Sequence, residues 1–211
     1  LPIAVRIDRL AVGELRLAEP VAGRAMRLGI EGQLAAADDR AGEAGHLRTS
    51  IAVLPLDAGG GAVLLDANVD PKGNILEVAA SIDEPEGGMV GSLLGLQPRT
   101  PLAVRLEGRG PFEAWQGNLA ASAGGLGRFS SDVILQWGRE LRLSIAGNAD
   151  IEPKLLPQLA PALTDSLRVE TTVRQDRDGA VAVEALRLAG RGLLLTGDGG
   201  LSADGDLAFQ T

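Results

Sequence analysis

Ala62-Val-Leu-Leu-Asp-Ala-Asn-Val-Asp70, then Pro71-Lys-Gly-Asn74, then Ile75-Leu-Glu-Val-Ala-Ala-Ser-Ile82 is the stretch on which the fold turns. It has two readings. In the first it is a calcium loop, because Asp66, Asn68, Asp70 and Glu77 stand at the first, third, fifth and twelfth positions of an EF-hand. The sixth position of such a loop must be glycine, because the chain turns sharply there. Pro71 stands at that position, and its ring locks φ at about −65°. In the second reading the stretch is a hairpin. Val63, Leu65, Ala67 and Val69 point to one side, Asp66, Asn68 and Asp70 to the other, and Pro71 to Asn74 make the turn. The hairpin reading prevails, and no metal is expected at these carboxylates.

The same period of two runs through most of the chain. Val5 and Ile7 alternate with Arg6 and Asp8, and Met26, Leu28 and Ile30 with Arg27, Gly29 and Glu31. Leu102, Val104 and Leu106 alternate with Ala103, Arg105 and Glu107. Leu167, Val169, Thr171 and Val173 alternate with Arg168, Glu170, Thr172 and Arg174. Strands are expected near 3–10, 14–18, 26–36, 47–55, 62–70, 75–82, 101–108, 115–123, 128–136, 140–148, 166–175, 179–188, 192–196 and 201–209. Turn-formers punctuate them at 57–61, 70–74, Gly124-Gly125, Gly147-Asn148, 176–179 and 198–200. Ala37 to Gly45 reads as one long hairpin loop. Short connections pair neighbouring strands in chain order. The expected fold is all-β, a long antiparallel meander over residues 1–211 as a single continuous segment. Such a sheet has one apolar face, and it can curl into an open trough, or half-pipe, with an aliphatic interior.

Composition sharpens this picture. Of 211 residues 45% are hydrophobic, so disorder is not expected, yet only 2% are aromatic and none is Tyr. Leu, Val, Ile and Ala must therefore supply the apolar surface, which is smooth and chemically close to an acyl chain. A net charge of −8 repels nucleic acid and anionic headgroups. There is no cysteine, so disulfides and thiolate metal sites are excluded. No apolar run approaches the ~20 residues of a membrane-spanning helix. Two Trp and three Phe cannot furnish the aromatic girdles of a transmembrane barrel. The alternation is under way at Leu1 and still running at Phe209, so both ends read as cut from a longer sheet. Unpaired edges there would favour end-to-end self-association.

Two segments break the alternation and are expected as short helical insertions. In 86–96, Met89, Val90, Leu93, Leu94 and Leu96 fall at helical spacing, bounded by Pro98. Its glycines weaken it, so it should fold only when docked. In 153–165, Leu155, Leu156, Leu159 and Leu163 form a stripe interrupted by Pro157 and Pro161. Both are expected to plug an end or face of the sheet, through Met89, Leu93 and Leu96 in the first and Leu156, Leu159 and Leu163 in the second. Asp83, Glu84 and Glu86 precede the first helix, where carboxylates favour the positive end of the helix dipole.

Catalytic chemistry finds no foothold. His46 is the only histidine and lies in a polar loop. The Gly-rich stretches lack the Lys-Ser/Thr of a phosphate loop and the strand–helix setting of a dinucleotide site. Trp115 and Trp137 are isolated on strands and read as filling a groove or its rim. No enzymatic activity and no cofactor are expected.

Asp83-Glu-Pro-Glu-Gly-Gly-Met-Val-Gly-Ser-Leu-Leu-Gly-Leu96, Pro101-Leu-Ala-Val-Arg-Leu-Glu-Gly-Arg-Gly-Pro111 and Trp115-Gln-Gly-Asn-Leu119 together resemble the translocation and assembly module subunit TamB, particularly its alphaproteobacterial members. The opening Leu1-Pro-Ile-Ala-Val-Arg-Ile-Asp-Arg-Leu is similar to a phrase that recurs in that AsmA-like family. The resemblance implies a periplasmic half-pipe, or β-taco, with a hydrophobic groove. In the full-length protein it would be anchored in the inner membrane and meet a BamA-family barrel in the outer membrane. It also implies a role in phospholipid transport, outer-membrane biogenesis and protein secretion across the cell envelope.

The residues and the resemblance meet on one expectation. Val5, Ile7, Leu28, Ile30, Ile51, Val53, Val63, Leu65, Val78, Leu102, Val104, Leu106, Leu119, Val133, Leu135, Leu143, Ile145, Leu167 and Val169 should line an apolar groove that carries phospholipid acyl chains. Burial of methylenes, at roughly 0.8 kcal/mol each, is the only chemistry this needs. Two alternatives stand beside it. One is a scaffold that pairs strands with unfolded outer-membrane proteins. The other is a purely structural sheet or solenoid with a dry core.

Overall fold

The computed structural model describes residues 5–19, 25–36, 46–57, 61–86, 88–97, 99–155, 166–177, 179–201 and 207–210. The protein is all-β. Its strands are β1 (Val5–Leu17), β2 (Met26–Ala36), β3 (Leu47–Pro55), β4 (Ala62–Asp70), β5 (Ile75–Glu84), β6 (Leu102–Gly110), β7 (Trp115–Ala123), β8 (Gly127–Trp137), β9 (Leu141–Ile151), β10 (Leu167–Gln175), β11 (Val181–Gly190), β12 (Leu193–Leu201) and β13 (Leu207–Gln210). Their order in the sheet is their order in the chain. A five-residue helix, α1 (Met89–Leu93), interrupts the meander between β5 and β6. Single 3-10 turns occur at Phe112–Ala114 and Pro153–Leu155. No helix among the described residues is long and apolar enough to cross a membrane.

The chain divides into two compact units. The first comprises Leu1–Gly110 with Ala121–Gly124, and the second Pro111–Ala120 with Gly125–Thr211.

In the first unit, β2 to β6 pair antiparallel with unbroken register. The 70–74 turn forms as its composition dictates. Asp70 Oδ1 accepts the backbone N–H of Lys72 at 3.1 Å and of Gly73 at 2.9 Å, which is an Asx turn. Asn74 takes the left-handed conformation, with φ 52°, that closes it. Asn68 lies opposite Glu77 on the polar side and donates to its carboxylate at 3.1 Å. The carboxylates of the would-be calcium loop are thus a strand's polar face and a turn.

The two strands expected at 3–10 and 14–18 are one. β1 is continuous from Val5 to Leu17, with register irregularities between Ile7 and Leu10 and between Val12 and Leu15. At each, β1 has one residue more than β2, since Leu34 and Gly32 oppose Ile7 and Leu10, and Ile30 and Leu28 oppose Val12 and Leu15. A β-bulge absorbs the surplus and returns the next apolar residue to the same face. What read as strand ends are bulges.

In the second unit, β8 to β13 pair antiparallel in sequence. Two expected turns lie inside strands. Gly147-Asn148 sits within β9, and 198–200 within β12. Gly147 is there for close approach, because a Cβ on it would lie 2.2 Å from Ser130 O and 2.4 Å from Ser131 Cβ. Of the final strand expected at 201–209, Leu201 closes β12 and Leu207 to Phe209 fall in β13, while 202–206 lie outside the described residues.

Candidate functional site

Register decides which side chains share a face, because directly opposed residues of an antiparallel pair point the same way. In the first unit one row runs Val12, Ile30, Val53, Val63, Ile82, Val104. The next runs Leu10, Gly32, Ile51, Leu65, Ala80, Leu106. A third runs Ile7, Leu34, Thr49, Ala67, Val78, Gly108. Ile7, Ile30, Ile51, Val53, Val63, Leu65, Val78, Val104 and Leu106 are therefore brought together on one side. Val5 pairs with Ala36 in the adjoining row. The alternation missed Leu10, Val12 and Leu15, which reach this face only through the β1 bulges.

This face is open over most of its area. Ile7, Leu10, Val12, Leu15 and Ile51 are exposed, and most of the remaining floor is only half-buried. Burial is concentrated at one end. Met26 and Leu28 are buried there, with Leu17, Val53 and Met89 packed against them. Met89, one of the residues expected to plug the sheet, comes from α1 and packs on this pair. Leu96 is half-buried, but Leu93 and Leu94 are 55% and 63% exposed, with most of their surface toward solvent. Leu156, Leu159 and Leu163 lie outside the described residues.

The α1 end contains a carboxylate. Glu84 opposes Leu102 in the register, so it lies on the apolar face, and it is only 2% exposed. Its two oxygens accept the backbone N–H of Val90 at 2.8 Å and of Gly91 at 2.9 Å. Gly88 lets the helix approach this closely, since a Cβ on it would lie 2.5 Å from the Glu84 carboxyl group. The helix-end role expected of Asp83, Glu84 and Glu86 thus rests on direct hydrogen bonds from the helix N–H groups to one of them, Glu84. Asp83 and Glu86 are exposed.

In the second unit the corresponding rows are Val133, Ile145, Thr171, Leu186, Gly197 and Leu135, Leu143, Val173, Val183, Gly199. A third is Ser131, Gly147, Val169, Leu188, Leu195. Leu167 joins Phe129 and Ala149. Asn118 donates to Asp132 at 2.7 Å on the polar side, so Leu119 and Trp115 alternate onto the apolar one. Trp115 is buried, whereas Trp137 is 65% exposed at the rim.

The opposite faces carry the charge. In the second unit β11 has one surplus residue between Val183 and Leu186, and Glu184 is turned to the polar side. There it accepts from Arg174 Nε at 3.0 Å and Arg142 Nη2 at 3.3 Å. Arg174 and Arg142 are directly opposed, and Glu140 and Glu184 between them offset the like charge. The hydrogen bond to Asp176, then the charge of that carboxylate, raises the Arg174 pKa further above its ordinary value.

A recess of about 460 Å³ lies in the first unit, between two rows of polar-face residues. Arg6, Arg48, Asn68 and Glu77 flank it on one side and Asp8 and Asp66 on the other. The row between them, Ile7, Leu34, Thr49, Ala67 and Val78, belongs to the apolar face and lines the recess as well. Arg6 pairs with Asp8, and Glu77 with Asn68 and Arg109. Among the described residues, no group of three or more His, Asp or Glu could hold a metal ion.

No family model, curated protein or solved structure matches the chain. The functional reading rests on the two faces themselves.

Proposed function

We propose that the apolar face of the sheet is a bed for phospholipid acyl chains, in a periplasmic bridge of the AsmA-like, TamB type between inner and outer membranes. The observation that carries this is the half-exposed state of the aligned rows such as Val53, Val63, Ile82, Val104. A structural sheet would bury such rows under a second layer. An aliphatic strip left open to water is stabilised by any linear hydrocarbon laid on it, at roughly 0.8 kcal/mol per methylene. Headgroups would stay in solvent, and no catalytic group is needed. In the intact protein the outer-membrane end would meet a BamA-family barrel.

Native mass spectrometry of the purified chain should detect bound phospholipid. Val104→Asp and Leu143→Asp should leave the fold standing, because water reaches these half-buried positions, while abolishing the adduct. Arg105→Ala, on the polar face, should do neither. Collapse of the fold in both aspartate variants would overturn the reading in favour of a dry structural core.

A further inference from the structure

We propose that the end of the first unit's apolar face beneath α1 is a closed acyl-chain subsite, occupied by the protein's own Met89. This rests on the lipid reading above and adds to it a resident competitor for the bound chain. Met26 and Leu28 are buried at this end, while Ile7, Leu10, Val12 and Ile51 along the same face are exposed. Met89 packs on the buried pair together with Leu17 and Val53. A methionine side chain is unbranched and flexible, the closest a protein side chain comes to a stub of alkyl chain. It fills the position that the last carbons of a fatty acid would take.

The cover is built to come off. α1 has only five residues, and its N-cap Gly88 offers no side-chain hydrogen bond. A helix of that length has no stability of its own in water. It is held by Met89 on one side and by the Glu84 carboxylate on the backbone N–H groups of Val90 and Gly91 on the other. Leu93 and Leu94 remain largely in water in the closed state and add little to it. Opening is thus a local event that leaves the strand ladder intact. A closed cover lowers the apparent affinity of a ligand by the fraction of molecules that are open, and removing the cover lifts that penalty.

The experiment measures binding of a fluorescent polyene fatty acid to the purified chain and to variants, with hydrogen exchange followed at the Val90 and Gly91 amides. Met89→Ala should bind the probe about tenfold more tightly than the parent, and Met89→Leu should not. Glu84→Gln weakens the catch while leaving Met26, Leu28, Leu17 and Val53 unchanged, and should shift affinity in the same direction as Met89→Ala. Probe binding should speed exchange at Val90 and Gly91. Equal affinity in parent and Met89→Ala, with both amides as protected as before, would overturn the inference while the open floor still binds lipid. A weaker-binding Glu84→Gln that remains folded would overturn it too. Failure of the parent and every variant to bind the probe would overturn the lipid reading, and this inference with it.

Discussion

The carboxylate of Glu84 accepts the backbone N–H of Val90 at 2.8 Å, across the point where the last strand residue of β5 gives way to α1. A charge on an apolar face would ordinarily be costly, and here it is matched by two N–H groups that a short helix would otherwise leave unpaired. Glu84→Ala should destabilise the protein by about 1–3 kcal/mol, because it orphans both donors. Glu84→Gln keeps one acceptor and should cost less. Urea unfolding of the two variants checks the order. An equal cost would show that only the volume of the side chain matters.

The bulge at Gly13 makes a prediction about chain length. Val12 and Leu15 are three residues apart on β1 but oppose Ile30 and Leu28, which are two apart on β2. Deleting Gly13 restores a regular ladder and keeps every apolar residue on its face. The melting temperature should change little. Deleting Ser50, where β3 is in regular register on both sides, flips half the strand and should abolish cooperative unfolding. Thermal melts of the two deletions decide it, and comparable damage from both would count against the bulge.

Gly147→Ala should cost about 1–3 kcal/mol, because the added methyl meets backbone and Cβ atoms that cannot yield locally. Gly138→Ala meets nothing within 4 Å and should be close to neutral. Paired denaturant curves test the contrast, and a neutral Gly147→Ala would mean that β8 and β9 are not this closely apposed.

Arg168 donates to Glu170, and that hydrogen bond chiefly holds the exposed Glu170 carboxyl below its ordinary pKa. The charges of Arg168 and Arg187 act in the same sense. A depressed folded-state value means that the interaction favours folding above the ordinary carboxylate pKa and is lost as pH falls through the lowered one. Carboxyl-carbon titration by NMR should show the Glu170 midpoint moving up in Arg168→Ala. No movement would remove Arg168 as the cause.

The alternation located β2, β3, β4 and β7 to the residue, because each is a mainly two-period run between stretches that lack that period. It divided β1 between Leu10 and Glu14 because a bulge and a strand end look alike in sequence, as in Val12-Gly-Glu-Leu15, a glycine and a polar residue between apolar ones. Gly147 misled for a related reason, since the glycine needed for close approach inside β9 is chemically the glycine of a turn. Glu84 carried a readable signal. It continues the inward parity of Val78, Ala80 and Ile82, and Gly87-Gly88 follows it. An inward acid before glycines and a short apolar segment is a carboxylate waiting for backbone donors. Glu184 had no such signal, since only the register on both sides of β11 reveals the surplus residue that turns it toward Arg142 and Arg174.

Because each strand's neighbours in the sheet are its neighbours in the chain, the architecture has no fixed size. A hairpin could be duplicated or lost during evolution, and the strands on either side would still meet with their apolar residues on the proper side. Two strands at a time preserve direction, so the sheet lengthens in steps of about 10 Å. An ancestral gene could thus be tuned to span a gap of any given width by copying short stretches of itself, with no compensating change elsewhere. Strict adjacency makes the protein's reach a matter of counting, and leaves it free to drift in sequence wherever alternation is kept.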